Sequence, residues 1–444
     1  MEDNRIERFR IDRRKGPTKV KCWDKILETA SREKIEKIQL ERLRRIVKYI
    51  YESNDVYRGE LDSQGIRPED IESLEDITLL PFMDKAHLRE HYPLGYCCVD
   101  QEKIREVHTS SGFTGRPVVM PYTEEDLDQW ATCMARCYRM AGIEEGSVVQ
   151  ITPSFGLFNG GFGFYHGARK AGLFVIPTGP GNTLRQIRLA NDFKVEAITA
   201  VASYGIRIME IMKENGLSIP SLKKGLFGAE VFSHKMKKRV QAEMGIEIFD
   251  IYGMTETGGV GTTGMDCPVH DGIHVWEDHY LMEVIDPDTG MPLPDGQEGE
   301  LVFTALTRFA FPVIRFRSGD LSHIKSRERC ECGRTHLRIE YIKGRVDDML
   351  IIKGINFFPG QVEEVLMSIP GVKEHYQIVV EESRGVRDAH LQVEVEEGVT
   401  SSQIEKKLKE ALGFGLKSRL FKPGELERKP GKAERVVYIK EDKE

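Results

Sequence analysis

The stretch "HTSSGFTGRP", residues 108–117, is a run of small hydroxyl residues and glycines closed by a basic side chain. Glycines let backbone N–H groups come close to an anion, hydroxyls add donors, and a guanidinium adds charge-assisted bonds. Ser110, Ser111, Gly112, Thr114, Gly115 and Arg116 therefore form a candidate phosphate cradle. The stretch is not the strict nucleotide loop, which needs Gly, four residues, then Gly-Lys-Ser/Thr. Ser, Thr and Gly also fill ordinary loops, so the reading depends on the chain around it.

Working outward, the texture downstream is that of an α/β protein. From about Gly146, "GSVVQITPS", "AGLFVIP", "VEAITAVAS" and "KKGLFGAE" are short apolar runs separated by helix-like segments such as "YGIRIMEIMKENG". That alternation predicts a mostly parallel sheet with helices on its faces, and such sheets bind ligands at the loops where strands end. "GIEIFDIYGMTETGG" continues the pattern, and upstream "SREKIEKIQLERLRRIVKYIYESNDVYRGE" predicts one long amphipathic helix up to Asn54. After Gly272 the chain turns β-rich, with turn chemistry at "DPDTG" and "PDGQEG". "GRVDDMLIIKGINFFPGQVEEVL" opens another compact unit of α+β character, which places a boundary near residues 343–347. The expectation is a large N-terminal α/β domain, 1–344, with mostly parallel sheets and a β-rich subdomain, then a small mobile α+β domain, 345–444.

Bulk properties narrow the function. A chain of 444 residues exceeds one ordinary core. The net charge of −7 argues against a general nucleic-acid binder. No run of eighteen apolar residues and no signal-like segment after the basic "MEDNRIERFRIDRRKG" is present, so a cytoplasmic chain that spans no membrane is expected. The eight cysteines are sparse for a disulfide scaffold and read mostly as reduced thiols.

Three further motifs carry chemistry. In "DIYGMTETGG" (250–259), Thr255 and Glu256 fall at a strand end, where a hydroxyl beside a carboxylate suits a phosphate oxygen and its Mg²⁺; a Glu capping a helix is the plainer reading. In "FRSGD" (316–320), Asp320 follows a tight turn, where it could accept two ribose hydroxyls or merely end the turn. In "ERKPGKAERVVYI" (427–439), Lys432 sits on a Pro-Gly turn before a strand, or is an ordinary solvated lysine.

Each motif alone is weak, but their order and spacing are not. "SSGFTGR", "GAE", "YGMTE", "FRSGD", "GRVDDM" and "PGKAERV" together resemble the acyl-adenylate-forming ligases, and within them the phenylacetate–coenzyme A ligase family. The resemblance runs from "NDVYRGEL" and "LPFMDKAHLRE" to the C-terminus, with "WEDHYLMEVIDPDTG" and "LVFTALTRFAFPVIRFRSGD" the most specific stretches. It implies that "SSGFTGR" grips the β- and γ-phosphates of ATP, leaving the α-phosphorus open to a carboxylate. Gly228, Ala229 and Glu230 would lie on the adenine side, with Asp250 and Tyr252 flanking the base and Gly253 and Met254 also binding the nucleotide. Thr255 would contact the α-phosphate, Glu256 would hold Mg²⁺, and Asp320 and Arg345 would hold the ribose. Lys432 would bridge the attacking carboxylate and the α-phosphate, and Asp347 matches the hinge of the small domain. After that domain turns, the "KGINFF" side would line a tunnel for coenzyme A.

The chain departs from the common pattern in places. Phe113 and Arg116 stand where the phosphate loop usually carries a second Thr and a Lys, and Pro153-Ser154-Phe155 replaces Tyr-Gly-Tyr near the acid pocket. Phe155 and Phe158 would wall that pocket, Phe158 being equally readable as core packing. The resemblance thus implies ATP-dependent ligation of an aromatic carboxylic acid to coenzyme A, and a homodimer. Rival readings are an enzyme that stops at the adenylate, like the deazaflavin-adenylating synthetases, a ligase for an indolic or hydroxylated arylacetate, and a nucleotide-binding paralogue without catalysis. Glu256, Asp320 and Lys432 all being present argues against the last.

"CPVHDGIH" (267–274) and "CECGRTH" (330–336) bring three cysteines and several histidines into the frame of a structural zinc site. The family pattern implies Cys267, His274, Cys330 and Cys332 as ligands; on spacing alone His270 or His336 could replace His274. Free thiols and surface imidazoles are the alternative.

Overall fold

The computed structural model describes residues 21–110, 116–348, 350–352, 355–383, 386–412, 415–427 and 434–440. The chain divides into two compact units: one holds the chain up to Ala200, Ser218–Ala229 and Ile246–Tyr341, the other Val201–Leu217, Glu230–Gly245 and the chain from Ile342. Among the described residues no helix is long and apolar enough to cross a membrane.

In the first unit the expected long helix, α1, spans Arg32–Ser53. Ser31 caps it by accepting from Lys34 N at 3.3 Å. Its buried stripe is Ile35, Gln39, Leu43, Ile46, Val47 and Ile50, the three–four spacing of a helix lying on a core. Each apolar member contributes roughly 1.5–3 kcal/mol by leaving water. The helix stops at Asn54 because that side chain serves the next helix, accepting from Val56 N and Tyr57 N, while its amide donates to the carbonyls of Gly95 and Cys97.

The strands on either side of the candidate phosphate cradle, β1 (Glu106–Thr109) and β2 (Val119–Tyr122), pair antiparallel. After it come α2 (Glu124–Met140), β3 (Val148–Ile151), α3 (Gly160–Lys170), β4 (Phe174–Pro177), β5 (Ala197–Val201), β6 (Lys224–Gly228) and β7 (Glu247–Tyr252). The chain then runs β8 (Gly264–Asp266), β9 (Ile273–Val275), β10 (Tyr280–Ile285), β11 (Gly299–Ala305), β12 (Phe316–Ser322), β13 (Ile324–Ser326) and β14 (Arg338–Ile339). One nine-stranded sheet has the order β13-β14-β9-β8-β7-β6-β5-β3-β4. The pairs β3–β4, β3–β5 and β6–β7 are parallel, as the apolar runs predict, and β7–β8 begins an antiparallel flank. β10, β11 and β12 form an antiparallel meander, the β-rich part of the sequence.

The second unit is built on an antiparallel hairpin, Val372–Ser383 with Val386–Val395, flanked by the strands Lys417–Phe421 and Val436–Lys440. Leu366, Ile378, Leu391, Val393, Ile404 and Leu408 fill its core. The helices Ala202–Glu214 and His234–Met244, which sequence order places with the N-terminal domain, are grouped here by packing. Within this unit Arg239 Nη2 lies 2.7 Å from Glu374 and His375 Nε2 2.8 Å from Glu210.

Candidate nucleotide and acid site

β7 buries Ile248, Phe249, Ile251 and Tyr252 and delivers the chain into the turn Gly253–Gly259. Gly258 N donates to Thr255 O and Gly259 N to Met254 O, which tightens the turn around Thr255 and Glu256. Gly258 has φ +105° and a Cβ there would run into the Arg308 guanidinium, so only glycine fits. The Thr255 hydroxyl accepts from Asn159 Nδ2 at 2.7 Å. Glu256 is 2% exposed, and its Oε1 has no hydrogen-bond partner among the described residues, with Lys85 Nζ 3.8 Å away. A buried carboxylate with so little compensation is a receptor for a cation, and the residues fit the Mg²⁺ expected there.

Asp320 is 8% exposed and accepts from the Tyr252 hydroxyl at 2.6 Å. It lies within β12 rather than after a turn. The β11–β12 register slips between Glu300 and Val302, and Gly319 there has φ +78°, so the bend read from "RSGD" is a bulge inside the strand. The Asp250 backbone N–H donates to Asp266 Oδ1 at 3.1 Å. Gly228 ends β6 and Ala229 adopts φ +67°. Glu230, in the second unit, accepts from Ser203 N and Ser203 Oγ at 2.7 and 3.0 Å, which caps the start of the helix Ala202–Glu214. Arg345 pairs with Asp347 at 2.8 Å in that same unit.

Ser110 closes the base of the hairpin: its N–H donates to Val118 O and its hydroxyl accepts from Val118 N, both at 3.0 Å. Arg116 is exposed, with its guanidinium 5.2 Å from the Tyr92 ring and its carbonyl accepting from Arg89 Nε. Ser111, Gly112, Thr114, Gly115 and Lys432 lie outside the described residues. Phe155 is half-buried, edge-on to Phe162 at 5.5 Å and to Tyr165 at 6.2 Å. Phe158 is 50% exposed, so core packing does not describe it. Thr109 N donates to Leu157 O at 2.8 Å and ties this loop to the end of β1. Sequence reasoning missed Asn159 and Lys85. Both reach the Thr255–Glu256 turn from segments far away in the chain, and neither sits in a motif that names it.

The Cys/His cluster does assemble. Sγ of Cys267, Cys330 and Cys332 and a ring nitrogen of His274 all lie within 4.8 Å of one another. Cys267 and Cys330 are 3.8 Å apart, and Cys332 is 3.4 Å from His274 Nε2. Zn–S bonds of about 2.3 Å and Zn–N bonds of about 2.0–2.1 Å at tetrahedral angles give S···S near 3.8 Å and S···N near 3.5 Å, so the donor set fits zinc. His274 Nδ1 lies 3.1 Å from His336 O, and donating there leaves Nε2 for the ion. The other histidines are engaged elsewhere: His270 between Asp266 and Glu247, His336 between the carbonyls of Val275 and Leu27. Hydrogen bonds from Cys267 and Cys330 hold the Cys332 thiol far below its usual range, as a metal ligand requires.

Residues 26–306 match the family profile of the AMP-binding enzymes, and residues 354–439 that of the AMP-binding enzyme C-terminal domain. The phenylacetate–coenzyme A ligase of Thermus thermophilus is 40% identical over 93% of this chain and 98% of its own length. The Escherichia coli enzyme of the same name is 36% identical over 93% and 97%. The chain belongs to the phenylacetate–coenzyme A ligase family. A solved 2-hydroxyisobutyryl-CoA ligase holding 2-HIB-AMP superposes with a TM-score of 0.89 at 28% identity, covering 95% of this chain and 93% of that one. As a member of this family of AMP-forming ligases, the chain takes ATP, coenzyme A and an acid as substrates.

Proposed function

We propose that this protein joins an aromatic carboxylic acid to coenzyme A, phenylacetate or a close relative being the acid. The observation that carries the acid class is the run of aromatic side chains Phe155, Phe162 and Tyr165 on α3 and the loop before it, where Asn159, just ahead of the helix, donates to the Thr255 hydroxyl. An aryl group against that wall has its carboxyl group near the phosphate-contact turn. In the first step a carboxylate oxygen attacks the α-phosphorus and pyrophosphate leaves, giving acyl-AMP. In the second the thiol of coenzyme A attacks the acyl carbon, loses its proton and expels AMP.

The roles that support this reading are these. Ser110 to Arg116 hold the leaving phosphates, Thr255 orients the α-phosphate, and Tyr252 sets the Asp320 carboxylate against the ribose. By the family resemblance Gly228, Ala229, Glu230, Asp250, Gly253 and Met254 are assigned to the nucleotide, and Asp320 and Arg345 each to the ribose. Lys432 neutralises charge as the pentavalent phosphorus forms, and Asp347 is the hinge on which it is withdrawn between steps. Mg²⁺ on Glu256 would screen the pyrophosphate as it departs. Zinc on Cys267, His274, Cys330 and Cys332 would be structural, because all four ligands come from protein and no position is open. From the family resemblance we also assign a cytoplasmic homodimer.

The test is pyrophosphate release over a panel of aryl and aliphatic acids with ATP and Mg²⁺, with and without coenzyme A. An aryl acid should respond best and its thioester accumulate only with coenzyme A. Release that yields only a bound adenylate, or that occurs only with a phenolic cofactor, would move the protein to the adenylate-capping enzymes.

A further inference from the structure

A buried polar group interrupts the aromatic wall. Glu106 on β1 lies 3.1 Å from His108 Nε2 and 3.2 Å from His166 Nε2. His108 is 3% exposed, packed edge-on against Tyr122 and Trp130 at 5.3 and 5.5 Å and tilted against Phe162 at 5.5 Å. Its Nδ1 is buried and has no hydrogen-bond partner among the described residues. His166 stacks on Phe162 at 6.0 Å, and its side chain keeps 22% exposure beside a Glu106 side chain that keeps 27%. Gly163 on the same helix lets Trp130 close against it, since a Cβ there would enter the indole ring.

The position of this group on α3 gives it a role. Asn159, just ahead of α3, is fixed to Thr255, the proposed phosphate contact. Phe162 and His166 follow one turn apart on a single face of α3. From Asn159 to His166 is about 10 Å of helix, room for an aromatic ring with a substituent beyond it. Resting on the aryl-acid reading above, we propose that the preferred acid carries a hydrogen-bond donor on the ring edge remote from its carboxyl group, received by Glu106 and His166. A phenolic hydroxyl or an indole N–H has that chemistry. With Glu106 taking the Nε2–H of both imidazoles, the carboxylate and His166 Nδ1 face a substrate as acceptors only, His108 Nδ1 being buried. A bare hydrocarbon edge pressed against them strips their water and returns no bond, whereas a donor replaces it. Sites built to hydrogen-bond a substrate group discriminate strongly against the analogue that lacks it.

The measurement is kcat/KM for 4-hydroxyphenylacetate and for phenylacetate, read by pyrophosphate release in the full-length enzyme. The wild type should favour the hydroxylated acid by tenfold or more. His166→Phe and Glu106→Gln should each bring the ratio of the two acids towards one. A wild-type ratio of one or less, or a ratio that neither variant moves, overturns the inference while leaving the ligase assignment intact. If no aryl acid releases pyrophosphate, the ligase assignment itself falls and takes the inference with it. Should His166→Phe fail to fold, Glu106→Gln, which keeps the size of the side chain but turns one acceptor oxygen into an NH2 donor, decides the question.

Discussion

Asp320 receives the Tyr252 hydroxyl at 2.6 Å while almost fully buried, so its carboxylate is held in one orientation, as the proposed ribose contact requires. Removing that donor alone is the cleanest test of the assigned role. A hydrogen bond to a charged group is worth about 1.5–3 kcal/mol. Tyr252→Phe should therefore raise the KM for ATP roughly tenfold or more with a smaller effect on kcat. Initial rates at varied ATP give the answer; an unchanged KM with a lowered melting temperature would make the pair structural. Asp320 was singled out from "FRSGD" alone. Its neighbour was not, because Tyr252 lies 68 residues upstream, on a strand of a different sheet. The same limit hid Asn159, whose amide reaches Thr255 across 96 residues. Spacing in sequence reports on neighbours along one element; it is silent on what a sheet brings alongside.

Among the elements, the Cys/His hairpin was the most readable, because Cys-x-Cys and the flanking strands both point to one place. β9 and β14 pair Arg338 with His274 and Ile339 with Ile273, which draws residues 267–274 and 330–336 together. The family pattern already pointed to His274; spacing alone left His270 and His336 open, and the structure brings His274 to the thiols. The segment packed on this hairpin had no sequence signal at all. Glu28 is fully buried and accepts from Arg334 Nε at 2.8 Å, while Trp23 N and Asp24 N donate to its other oxygen at 2.8 Å. Thr335 N donates to Glu28 O, and Arg334 sits two residues from Cys332. Metal at the four ligands should thus hold the loop that anchors residues 21–30. The purified protein is expected to carry about one zinc per chain by elemental analysis. Stripping it with a chelator, or Cys332→Ser, should lower the melting temperature and speed proteolysis at residues 21–30. Full protection of that segment in metal-free protein would separate the hairpin from the ion.

At the scale of the whole molecule, the alternation of apolar runs and helices was enough to predict the α/β class, the parallel strands and the β-rich flank. It did not foresee that Ala202–Glu214 and His234–Met244 pack into the compact unit that holds the chain from Ile342, because that packing joins residues more than a hundred positions apart. Nor could it show how the large unit's core handles charge. Arg136 on α2 and Asp278 are both buried and form a two-pronged ion pair at 2.7 and 2.8 Å. His279 sits next to it, its Nδ1 2.8 Å from Thr307 Oγ1 and its Nε2 3.4 Å from Asp278. Burial drives the His279 pKa down to about 3, so the imidazole stays neutral in the folded protein. In the unfolded chain it titrates near 6.5. Above that pH it is neutral in both states and costs nothing. As pH falls from about 6.5 towards 3, only the unfolded chain gains the proton, and folding stability drops by about 1.4 kcal/mol per pH unit from this group. His279→Asn keeps a polar atom for Thr307 and removes the titration. Denaturant midpoints measured from pH 7 to pH 5 should therefore fall less steeply in the variant than in the wild type. Parallel slopes would mean that His279 already carries its proton inside the fold, shared with the Asp278 carboxylate, and that the buried pair is a triad of charges.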